Sequence, residues 1–593
     1  MTSIRARELI AGNAEGDVLA SSVALSFWGG VDPETGIVID SHHPLVGQSV
    51  AGKVLAIPSG RGSCTGSGVI LQLLLNDCAP CALIFGRQEM ILTIGVLVAQ
   101  EIFGKSIPVL QVPMYSLTTI QNTEHVQISN GEIYRRTISH AEPNISPLSL
   151  PQPDYSSIRM SSFDRELLDG LHGKAAQLAM RVILRTALFQ EASTGSEIEM
   201  IDISNAHVDC CIYTGPATLE FAQRLKDLGG KFRIPTSLNS ISIDQRLWRS
   251  QGVDPALGEP SEELAQAYVE MGARPTFTCA PYLLESAPQL GENIMWAESN
   301  AVVFANSVLG ARTIKCPDYL DVCVALTGRS FKAGSLISEN RKAQVEIHFE
   351  CPEETDDTLF PLLGYLTGDI AADCIPIITG LERRHVTIED LKAFGAAFAT
   401  TSSAPMFHVS GITIEARTPG ELEAHLKRTS KVTVTRSDLA KQWLRFNSYE
   451  ESSQAQIDLV SLGNPHFSYD EMARLVKLCS GRKKAEETTF VVTCSREIYS
   501  RAAKDGFITQ LEDFGALIVT DTCWCMIQEP VIPPHSRTIL TNSAKYAHYG
   551  KGLTGRQVRF GGLAQCVDAT CSGKVQNSLP KWLVDASAET LKA

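Results

Sequence analysis

Four short apolar runs near the end of the chain alternate with stretches of helical periodicity. These runs are LVSLG, FVVTC, ALIVT and TILTN, and polar residues, glycine or cysteine stand at the end of each. Short apolar runs separated by helical patterns predict parallel strands joined by helical crossovers. Sites in such α/β sheets are built at the carboxyl ends of the strands, so the residues after these runs are candidates for a cleft.

Length and charge narrow the class of protein. A chain of 593 residues is too long for one hydrophobic core, so several domains are expected. A formal net charge of −14 argues against nucleic acid as a partner, because phosphate neutralisation needs a basic surface. The start MTSIRARELIAGNAEGD lacks the apolar core of a signal peptide, and stretches such as MILTIGVLVA are too short to span a bilayer. We therefore expect a cytoplasmic protein without a membrane partner.

A segment rich in proline and serine, residues 139–160, divides the chain. Its composition resists both helix and sheet and predicts a linker. The residues before it, 1–138, show short strands and one helix beginning near Gly66, which predicts a β-rich small domain. Residues 161–593 form the larger α/β part, in which a polar stretch near 430–455 suggests a further break.

Two local predictions concern the larger part. Ser161 and Asp164 have the spacing of a capping box at the start of a long helical pattern, which Gly195 follows. The segment QVEIHFECP is interpreted as an edge strand.

A loop of glycine and hydroxyl residues, SGRGSCTGS, lies between an apolar strand and an apolar helix. Its glycines let backbone amides approach a ligand closely, and a helix N-terminus favours an anion. Arg61 could bind that anion through two hydrogen bonds. An ordinary strand-to-helix turn explains the same residues equally well.

The sixteen cysteines predict a metal or iron–sulfur site, because disulfides are rare in a reducing compartment. Cys279, Cys523 and Cys566 each follow an apolar run and adjoin polar or turn residues, while Cys323 and Cys525 are reserves. The CxxC of Cys78 and Cys81 continues into an apolar run and is better explained as core. Three cysteines so far apart make no signature by spacing alone.

Polar residues also follow several apolar runs in the middle of the chain. They are Ser204, Asn205 and His207, then Asn239 and Ser240, then Glu298, Ser299 and Asn300. One such residue is usually part of a turn, but several in successive units suggest the lining of one cleft.

Together these motifs resemble the aconitase X family over nearly the whole chain. The similar patterns are GGVDPETG, DSHHPLVGQSVAGKVL and GRGSCTGS in the first part, then WAESNAVVFANSVLGART, GNPHFS, DTC and TNSAKYAHY. The resemblance implies a β-rich swivelling small domain fused to a large α/β aconitase-like body of several subdomains. Archaeal members carry the two parts as separate subunits, so the fused chain would need no separate small subunit.

The resemblance also implies an activity. Fused members are cis-3-hydroxy-L-proline dehydratases, and Asn464 stands where many archaeal relatives have cysteine. The expected enzyme is a hydro-lyase that forms 1-pyrroline-2-carboxylate, with a [2Fe–2S] cluster as Lewis acid and Ser67 or Ser63 as base. The expected cluster ligands are Cys279, Cys523 and Cys566. The expected substrate-binding residues are Arg61, Gly62, Thr65, His207, Asn239, Ser240, Glu298 and Ser299. Cys64 replaces a serine that is common in the family's glycine loop.

Two alternatives stay open at this point. One is dehydration of mevalonate 5-phosphate, with Arg61 and the glycine loop holding the phosphate. The other is an iron–sulfur redox sensor without catalysis, although the hydroxyl-rich loop and the polar cleft residues would then have no use.

Overall fold

The computed structural model describes residues 3–136, 153–194, 197–427, 429–447 and 454–584. Most of the predicted linker, and residues 448–453 of the predicted break, lie outside these ranges. The chain folds into two units. The first comprises Met1–Thr236, Gln266–Ala273 and Cys316–Ala333, and the second comprises Ser237–Ala265, Arg274–Lys315 and Gly334–Ala593. Within the described ranges, no helix combines the length and the apolar character that crossing a membrane requires.

The first unit begins with a mixed sheet of eight strands. Their order across the sheet is Ser3–Arg5, Glu132–Arg136, His125–Ser129, Ala14–Ala20, Val54–Ile57, Ala82–Phe85, Val109–Gln111 and Arg7–Ile10. The four strands from Ala14–Ala20 to Val109–Gln111 are parallel, and antiparallel strands complete both edges. The β-rich character predicted from the sequence is confirmed.

Three α-helices accompany this sheet: Gly66–Leu75, Ile91–Val98 and Met114–Gln121. The helix predicted near Gly66 is confirmed. The helix Ile91–Val98 escaped prediction because all eight of its residues are buried, so its sequence has no polar face to mark a helical period. A π-helical turn, Ala99–Phe103, follows it.

The predicted capping box is present in the first unit. Ser161 accepts a hydrogen bond from the amide of Asp164, whose carboxylate accepts one from the amide of Ser161. The long helical pattern is divided into Ser162–Leu168 and Lys174–Thr194. Gly170, which lies between them at φ +83°, adopts the left-handed conformation that ends a helix.

A short sheet ties later residues into the first unit. The strand Ile198–Asp202 pairs parallel with Ile158–Arg159 and antiparallel with Arg329–Phe331. Arg329 donates two hydrogen bonds, of 2.7 and 3.0 Å, to the buried carboxylate of Asp164. Other elements of the unit are Ala206–Val208, Pro216–Asp227 and Leu320–Thr327.

The second unit contains the parallel sheet that the four apolar runs predicted. Its order is Leu517–Val519, Thr489–Cys494, Leu459–Phe467, Thr538–Thr541 and Gln557–Phe560, and all pairings are parallel. Its helices are Tyr469–Cys479, Arg496–Lys504, Phe507–Phe514, Ala544–Thr554 and Leu563–Ser572. The strand Leu459–Phe467 is buried along its whole length, as a central strand should be.

A second parallel sheet corrects one prediction. Its order is His408–Val409, Pro376–Thr379, Val345–Phe349 and Ser430–Val434. The strand within QVEIHFECP therefore lies inside the sheet, and its interpretation as an edge strand was wrong. Its alternation arises because one face of the sheet is polar, where Glu346 pairs with Lys431 and accepts a hydrogen bond from Thr379.

Helices and short turns complete the described part of the second unit. The helices are Leu359–Ala371, Ile388–Thr401, Pro419–Leu426, Arg436–Asn447 and Ser299–Phe304. The shorter elements are Pro281–Leu283, Met295–Trp296, Ala305–Leu309, Gly334–Leu336, Ser338–Arg341, Ile414–Ala416, Gln454–Gln456 and Lys574–Gln576. A large apolar core includes Phe394, Phe398 and Phe407. Helix Pro255–Glu270 and strand Thr236–Leu238 each contribute residues to both units.

Candidate active site

The glycine loop, residues 59–67, leads from the strand Val54–Ile57 of the first unit into the helix Gly66–Leu75. Gly62 has φ +79°, a conformation that favours glycine. The turn places the hydroxyl oxygens of Ser63 and Thr65 2.9 Å apart. The backbone amide of Thr65 also donates to Ser63 Oγ over 3.3 Å.

The hydroxyls of the loop lead to a buried carboxylate. Thr65 Oγ1 donates a hydrogen bond of 3.0 Å to Asp209 Oδ2. Ser63 is 5% exposed, Thr65 2% and Asp209 0%. These three residues therefore form one hydrogen-bonded group shielded from water, the Ser63–Thr65–Asp209 network.

Ser67 has a different environment. Its hydroxyl donates to the carbonyl oxygens of Ile91, over 2.8 Å, and Cys64, over 3.1 Å. Ser67 is completely buried. Carbonyl acceptors hold a hydroxyl in place but do not take up its proton, so this arrangement ties the loop to the helix Ile91–Val98.

Arg61 is largely committed to an ion pair. Its guanidinium lies 2.9 Å from the carboxylate of Asp40, which belongs to the DSHHPLVGQS motif. The Nε atom of Arg61 is buried and has no hydrogen-bond partner in the part of the chain that the structure describes. One direction of the guanidinium is thus available to a ligand, while its charge is balanced by Asp40.

Glu89 lies against the glycine loop. A side-chain carbon at Gly60 would come within 2.7 Å of Glu89 Oε1, so only glycine lets the two approach so closely. The Glu89 carboxyl accepts hydrogen bonds from the amides of Leu92 and Thr93 at the start of the next helix. Burial raises the pKa of Glu89 to about 7, and these amide bonds oppose the rise.

The strand Ala206–Val208 carries His207 and is followed directly by Asp209. His207 is buried. Asp209 was not among the predicted residues, although HVDCC places it just after the strand where a site carboxylate is expected. Its amide donates to Asp321 Oδ2 over 2.7 Å.

Three cysteines of the second unit form what we call the thiol cluster: Cys279, Cys523 and Cys525. Cys523 hydrogen-bonds to both of the others, and this bonding raises its own pKa. Burial acts to raise the pKa of Cys279, but the bond from Cys523 and the nearby His466 and Lys545 lower it to about 5. The bond from Cys523 likewise lowers the pKa of Cys525 against burial.

The GNPH segment holds the thiol cluster in place. The amide of His466 donates to Cys279 Sγ, and the side-chain amide of Asn464 donates to Cys525 Sγ, each over 3.3 Å. The ring of His466 also donates from Nε2 to the carbonyl of Thr522 over 2.8 Å. Asn464, which stands where many archaeal relatives have cysteine, thus contacts the sulfur of Cys525.

A buried ion pair lies beside the thiols. Lys545 Nζ is 2.9 Å from Glu298 Oε1, and the two side chains are 7% and 6% exposed. Burial acts to lower the pKa of Lys545, but Glu298 and the three thiols raise it well above its usual value. Burial acts to raise the pKa of Glu298, but Lys545 lowers it. Both groups are therefore charged.

Amide side chains complete the surroundings of Glu298. Asn239 donates to its Oε2 over 3.2 Å, and Asn300 donates to its Oε1 over 2.6 Å. Ser240 and Ser299 are buried next to these residues in sequence. Ile241, which follows Ser240, forms a parallel bridge with Thr522. Residues 239–241 therefore lie beside the DTC motif.

Cys566 does not join the thiol cluster. It lies on the helix Leu563–Ser572 in an apolar core, where burial raises its pKa and Asp357 adds to the rise. The reserve candidate Cys323 belongs to the first unit, where burial also raises its pKa. The other reserve, Cys525, is the third thiol of the cluster.

The thiol cluster has the donor chemistry of an iron–sulfur site. Its three sulfurs are buried together, and two have lowered pKa values, which favours the thiolate that iron binds. Across the described ranges, no three His, Cys, Asp or Glu side chains already stand in the arrangement of a metal site. The donor set fits the group, although its sulfurs are hydrogen-bonded to one another.

Comparison with known proteins identifies the family. The model of the aconitase X swivel domain matches residues 3–137. The models of the aconitase X first, second and third domains match residues 157–339, 343–444 and 457–572.

The relatives agree with these matches. A cis-3-hydroxy-L-proline dehydratase of Hypocrea jecorina (strain QM6a) is 50% identical over 577 residues, which cover 96% of each chain. One of Pseudomonas aeruginosa is 49% identical over 97% of this chain and 98% of its own. The crystal structure of Thermococcus kodakaraensis aconitase X in its holo-form covers 70% of this chain and 100% of that chain, with 30% identity and a TM-score of 0.61. With nearly its whole length matched in sequence, this chain belongs to the aconitase X family.

Proposed function

We propose that this protein is a hydro-lyase that removes water from cis-3-hydroxy-L-proline and releases 1-pyrroline-2-carboxylate. The observation that carries the proposal is the buried Glu298–Lys545 pair beside three thiols. An imino acid carries a carboxylate and a ring ammonium, and this pair offers one charge of each sign. The full-length relatives at about 50% identity bear the name of the same reaction.

The family implies an iron–sulfur cluster, and we propose that Cys279, Cys523 and Cys525 hold it as a [2Fe–2S] cluster. Cys525 takes the place that Cys566 held in the sequence-based hypothesis. When bound, the cluster supplies an electron-poor iron that assists the departure of the C3 hydroxyl. Asn464 and the amide of His466 donate to the ligand sulfurs and keep them oriented.

Substrate binding is assigned to the residues around Glu298. Lys545 would attract the substrate carboxylate, and Glu298 would accept a hydrogen bond from the ring nitrogen. Asn239 and Asn300 fix the carboxylate of Glu298 through their own hydrogen bonds. Ser240, Ser299 and His207 remain candidates for further polar contacts.

In the first unit, Arg61 and Gly62 remain candidates for contact with the substrate, whereas the Thr65 hydroxyl is donated to Asp209. The buried Nε of Arg61 could donate to an anionic group.

The base is proposed to be Ser63. Its oxygen accepts a hydrogen bond from the amide of Thr65, which would stabilise negative charge on it, and its hydroxyl lies 2.9 Å from the Thr65 hydroxyl. The Ser67 hydroxyl is held by two carbonyl oxygens, which gives its proton no group to receive it. Ser63 can therefore pass on a proton where Ser67 cannot.

Mevalonate 5-phosphate is the less favoured substrate. Its phosphate is a dianion, whereas Arg61 is the only basic residue in the loop sequence SGRGSCTGS and is already paired with Asp40. A redox sensor is disfavoured as well, because it would have no use for an oriented hydroxyl or for a buried pair that complements a zwitterion.

The proposed setting is the cytoplasm, where thiols stay reduced. The fused swivel domain lets one chain act without a separate small subunit.

Purification without oxygen, followed by reconstitution with iron and sulfide, tests the assignment. The reconstituted protein is incubated separately with cis-3-hydroxy-L-proline, its trans isomer and mevalonate 5-phosphate, and products are followed by NMR. We expect turnover of the cis imino acid and far slower reaction of the trans isomer, since the positions of the base and the leaving group suit one configuration.

Turnover of the phosphate ester alone would overturn the substrate assignment, and no turnover of any compound would overturn the activity. Iron and sulfide analysis with the visible spectrum distinguishes [2Fe–2S] from a larger cluster.

A further inference from the structure

The Ser63–Thr65–Asp209 network gives the proposed base an outlet for its proton. We propose that Asp209, acting through Thr65, accepts the proton that Ser63 loses during catalysis. This inference rests on the proposed function, in which Ser63 removes the C2 proton. Asp209 and Thr65 are positioning residues in this scheme, since only Ser63 meets the substrate.

The hydrogen bonds of the resting state connect Ser63 to Asp209 through Thr65. Ser63 Oγ is 2.9 Å from Thr65 Oγ1, and Thr65 Oγ1 donates to Asp209 Oδ2 over 3.0 Å. With that donation made, the Thr65 oxygen is left as an acceptor for the hydroxyl proton of Ser63. A serine hydroxyl is a weak base by itself, and an adjacent proton acceptor is the usual means of activating it.

The surroundings of Asp209 hold it in position. Its amide donates to Asp321 Oδ2 over 2.7 Å, and Asp321 Oδ1 accepts from the amide of Val322, also over 2.7 Å, and from the thiol of Cys210 over 3.1 Å. Asp209 is thereby fixed directly after the strand Ala206–Val208. Asp209 is completely buried, so water does not compete with Thr65 for its Oδ2 atom.

The step balances as a chain of proton transfers. The C2–H bond breaks and its proton joins Ser63 Oγ, while the hydroxyl proton of Ser63 moves to Thr65 Oγ1 and that of Thr65 moves to Asp209 Oδ2. The electron pair of the C2–H bond forms the C2–C3 double bond, and the pair of the C3–O bond leaves with hydroxide. After the enamine has left, the neutral Asp209 returns its proton through Thr65 and Ser63 to water, where it neutralises the released hydroxide. The products are water and the enamine, which tautomerises to 1-pyrroline-2-carboxylate, and the three side chains regain their starting state.

The test compares variants of the reconstituted protein with cis-3-hydroxy-L-proline as substrate. Thr65→Val and Asp209→Asn should each lower kcat about 100-fold or more while KM changes little, because proton transfer alone is impaired. Thr65→Ser keeps a hydroxyl and should stay within about threefold of the wild type. The double variant Thr65→Val/Asp209→Asn should be no slower than the slower single variant, since both changes break one path.

A matched control uses Thr186→Val. Thr186 is also buried, and its hydroxyl donates to the carbonyl of Val182 within a helix of the same unit. This variant should keep the kcat of the wild type. Should Asp209→Asn fail to fold, the contrast between Thr65→Val and Thr65→Ser carries the decision.

An independent measurement does not need dehydration. A small fluorophosphonate should label Ser63 in the wild type and in Thr65→Ser, and label it at least about tenfold more slowly in Thr65→Val and Asp209→Asn. Peptide mass spectrometry locates the label. If the wild type does not dehydrate the imino acid, the proposed function is wrong. The labelling rates of Ser63 then still test whether Thr65 and Asp209 activate its hydroxyl.

Three results would overturn the inference. The first is a kcat within about threefold of the wild type for Thr65→Val or Asp209→Asn. The second is a loss in the double variant equal to the product of the single losses, which would mean independent roles. The third is equal labelling of Ser63, or none, in all variants.

Discussion

The glycine loop of the first unit and the thiol cluster of the second are assembled in opposite ways. The loop is one continuous stretch of nine residues, 59–67, and its hydroxyls reach Asp209 and the carbonyl oxygen of Ile91 outside it. The thiol cluster gathers Cys279, Cys523 and Cys525 from segments more than two hundred residues apart, and a further segment with Asn464 and His466 holds the sulfurs. The comparison shows that a contiguous motif carries its own geometry, whereas an assembled site depends on the order of strands in a sheet.

The sharpest way to break this comparison is to remove a thiol. Cys523→Ser should abolish the visible iron–sulfur absorption and the activity, because Cys523 is the thiol that contacts both of the others. Cys566→Ala should retain iron and absorption, since Cys566 lies in an apolar core. Iron analysis and absorption spectra of both purified variants check this. Equal loss of iron in the two folded proteins would return Cys566 to the ligand set.

The next largest effect separates the two serines of the loop. Ser63→Ala should lower kcat about 100-fold or more with the iron content unchanged, as removal of a general base does. Ser67→Ala should mainly lower stability, by about 1–3 kcal/mol, because the carbonyls of Ile91 and Cys64 lose their shared donor. Steady-state kinetics and thermal unfolding of both variants provide the measurement. The reverse pattern would identify Ser67 as the base.

A smaller effect on chemistry, and a larger one on structure, is expected at Gly463. A side-chain carbon there would lie 2.2 Å from the carbonyl oxygen of Thr493, and φ is +95°. Gly463→Ala should therefore cost about 3 kcal/mol or more and lower iron loading, because the displaced strand carries Asn464 and His466.

Gly481→Ala is the matched control for this substitution. Gly481 also has positive φ, at +71°, but no atom lies within 4 Å of the added carbon. It should cost about 1 kcal/mol and leave iron loading intact. Similar iron loading in the two variants would show that the close contact at Gly463 is not what positions the GNPH segment.

The smallest expected effect is on the pH dependence of stability, through Glu89, which lies against the glycine loop. Glu89 has a folded-state pKa of about 7, above the usual 4.5 of the unfolded chain. Between these values the folded protein keeps a proton that the unfolded chain has lost, so this contribution to stability falls as pH rises from about 4.5 to 7. Glu89→Gln should remove that fall, which is on the order of 2–3 kcal/mol. Thermal unfolding at pH 5 and pH 8 measures it, with the exposed Glu34→Gln as control. An unchanged pH dependence in Glu89→Gln would contradict the assignment.

Sequence patterns predicted the elements that are marked by contrast between polar and apolar residues. Four strands of the five-stranded sheet, the capping box at Ser161 and the helix near Gly66 all followed from local signals, whereas the fifth strand, Gln557–Phe560, was not predicted. The helix Ile91–Val98 has no polar face and gave no helical signal. The polar face of Val345–Phe349 was interpreted as an edge, because alternation reports an exposed face and not a missing neighbour.

The site was predictable to the same extent. The hydroxyls of the glycine loop were visible as a motif, and Cys279 and Cys523 were chosen because each follows an apolar run. The same criterion selected Cys566, which the structure places within the helix Leu563–Ser572, and it left Cys525 as a reserve. Asp209 was overlooked because an aspartate after a strand usually belongs to a turn. Its contact with Thr65 spans 144 positions in the sequence.

The order of segments in the first unit has a consequence for synthesis on the ribosome. Its short sheet needs the strand Arg329–Phe331, and the charge of Asp164 needs Arg329. The roughly 100 residues from 237 to 333 take about 5–20 s to make at the usual rates. During that interval Arg329 has not yet been made, so the carboxylate of Asp164 has no guanidinium to pair with. Residues of the second unit, Ser237–Ala265 and Arg274–Lys315, leave the ribosome before it. The two units therefore cannot mature one after the other, and a protein ending at residue 236 should be a substrate for chaperones instead of an independent domain.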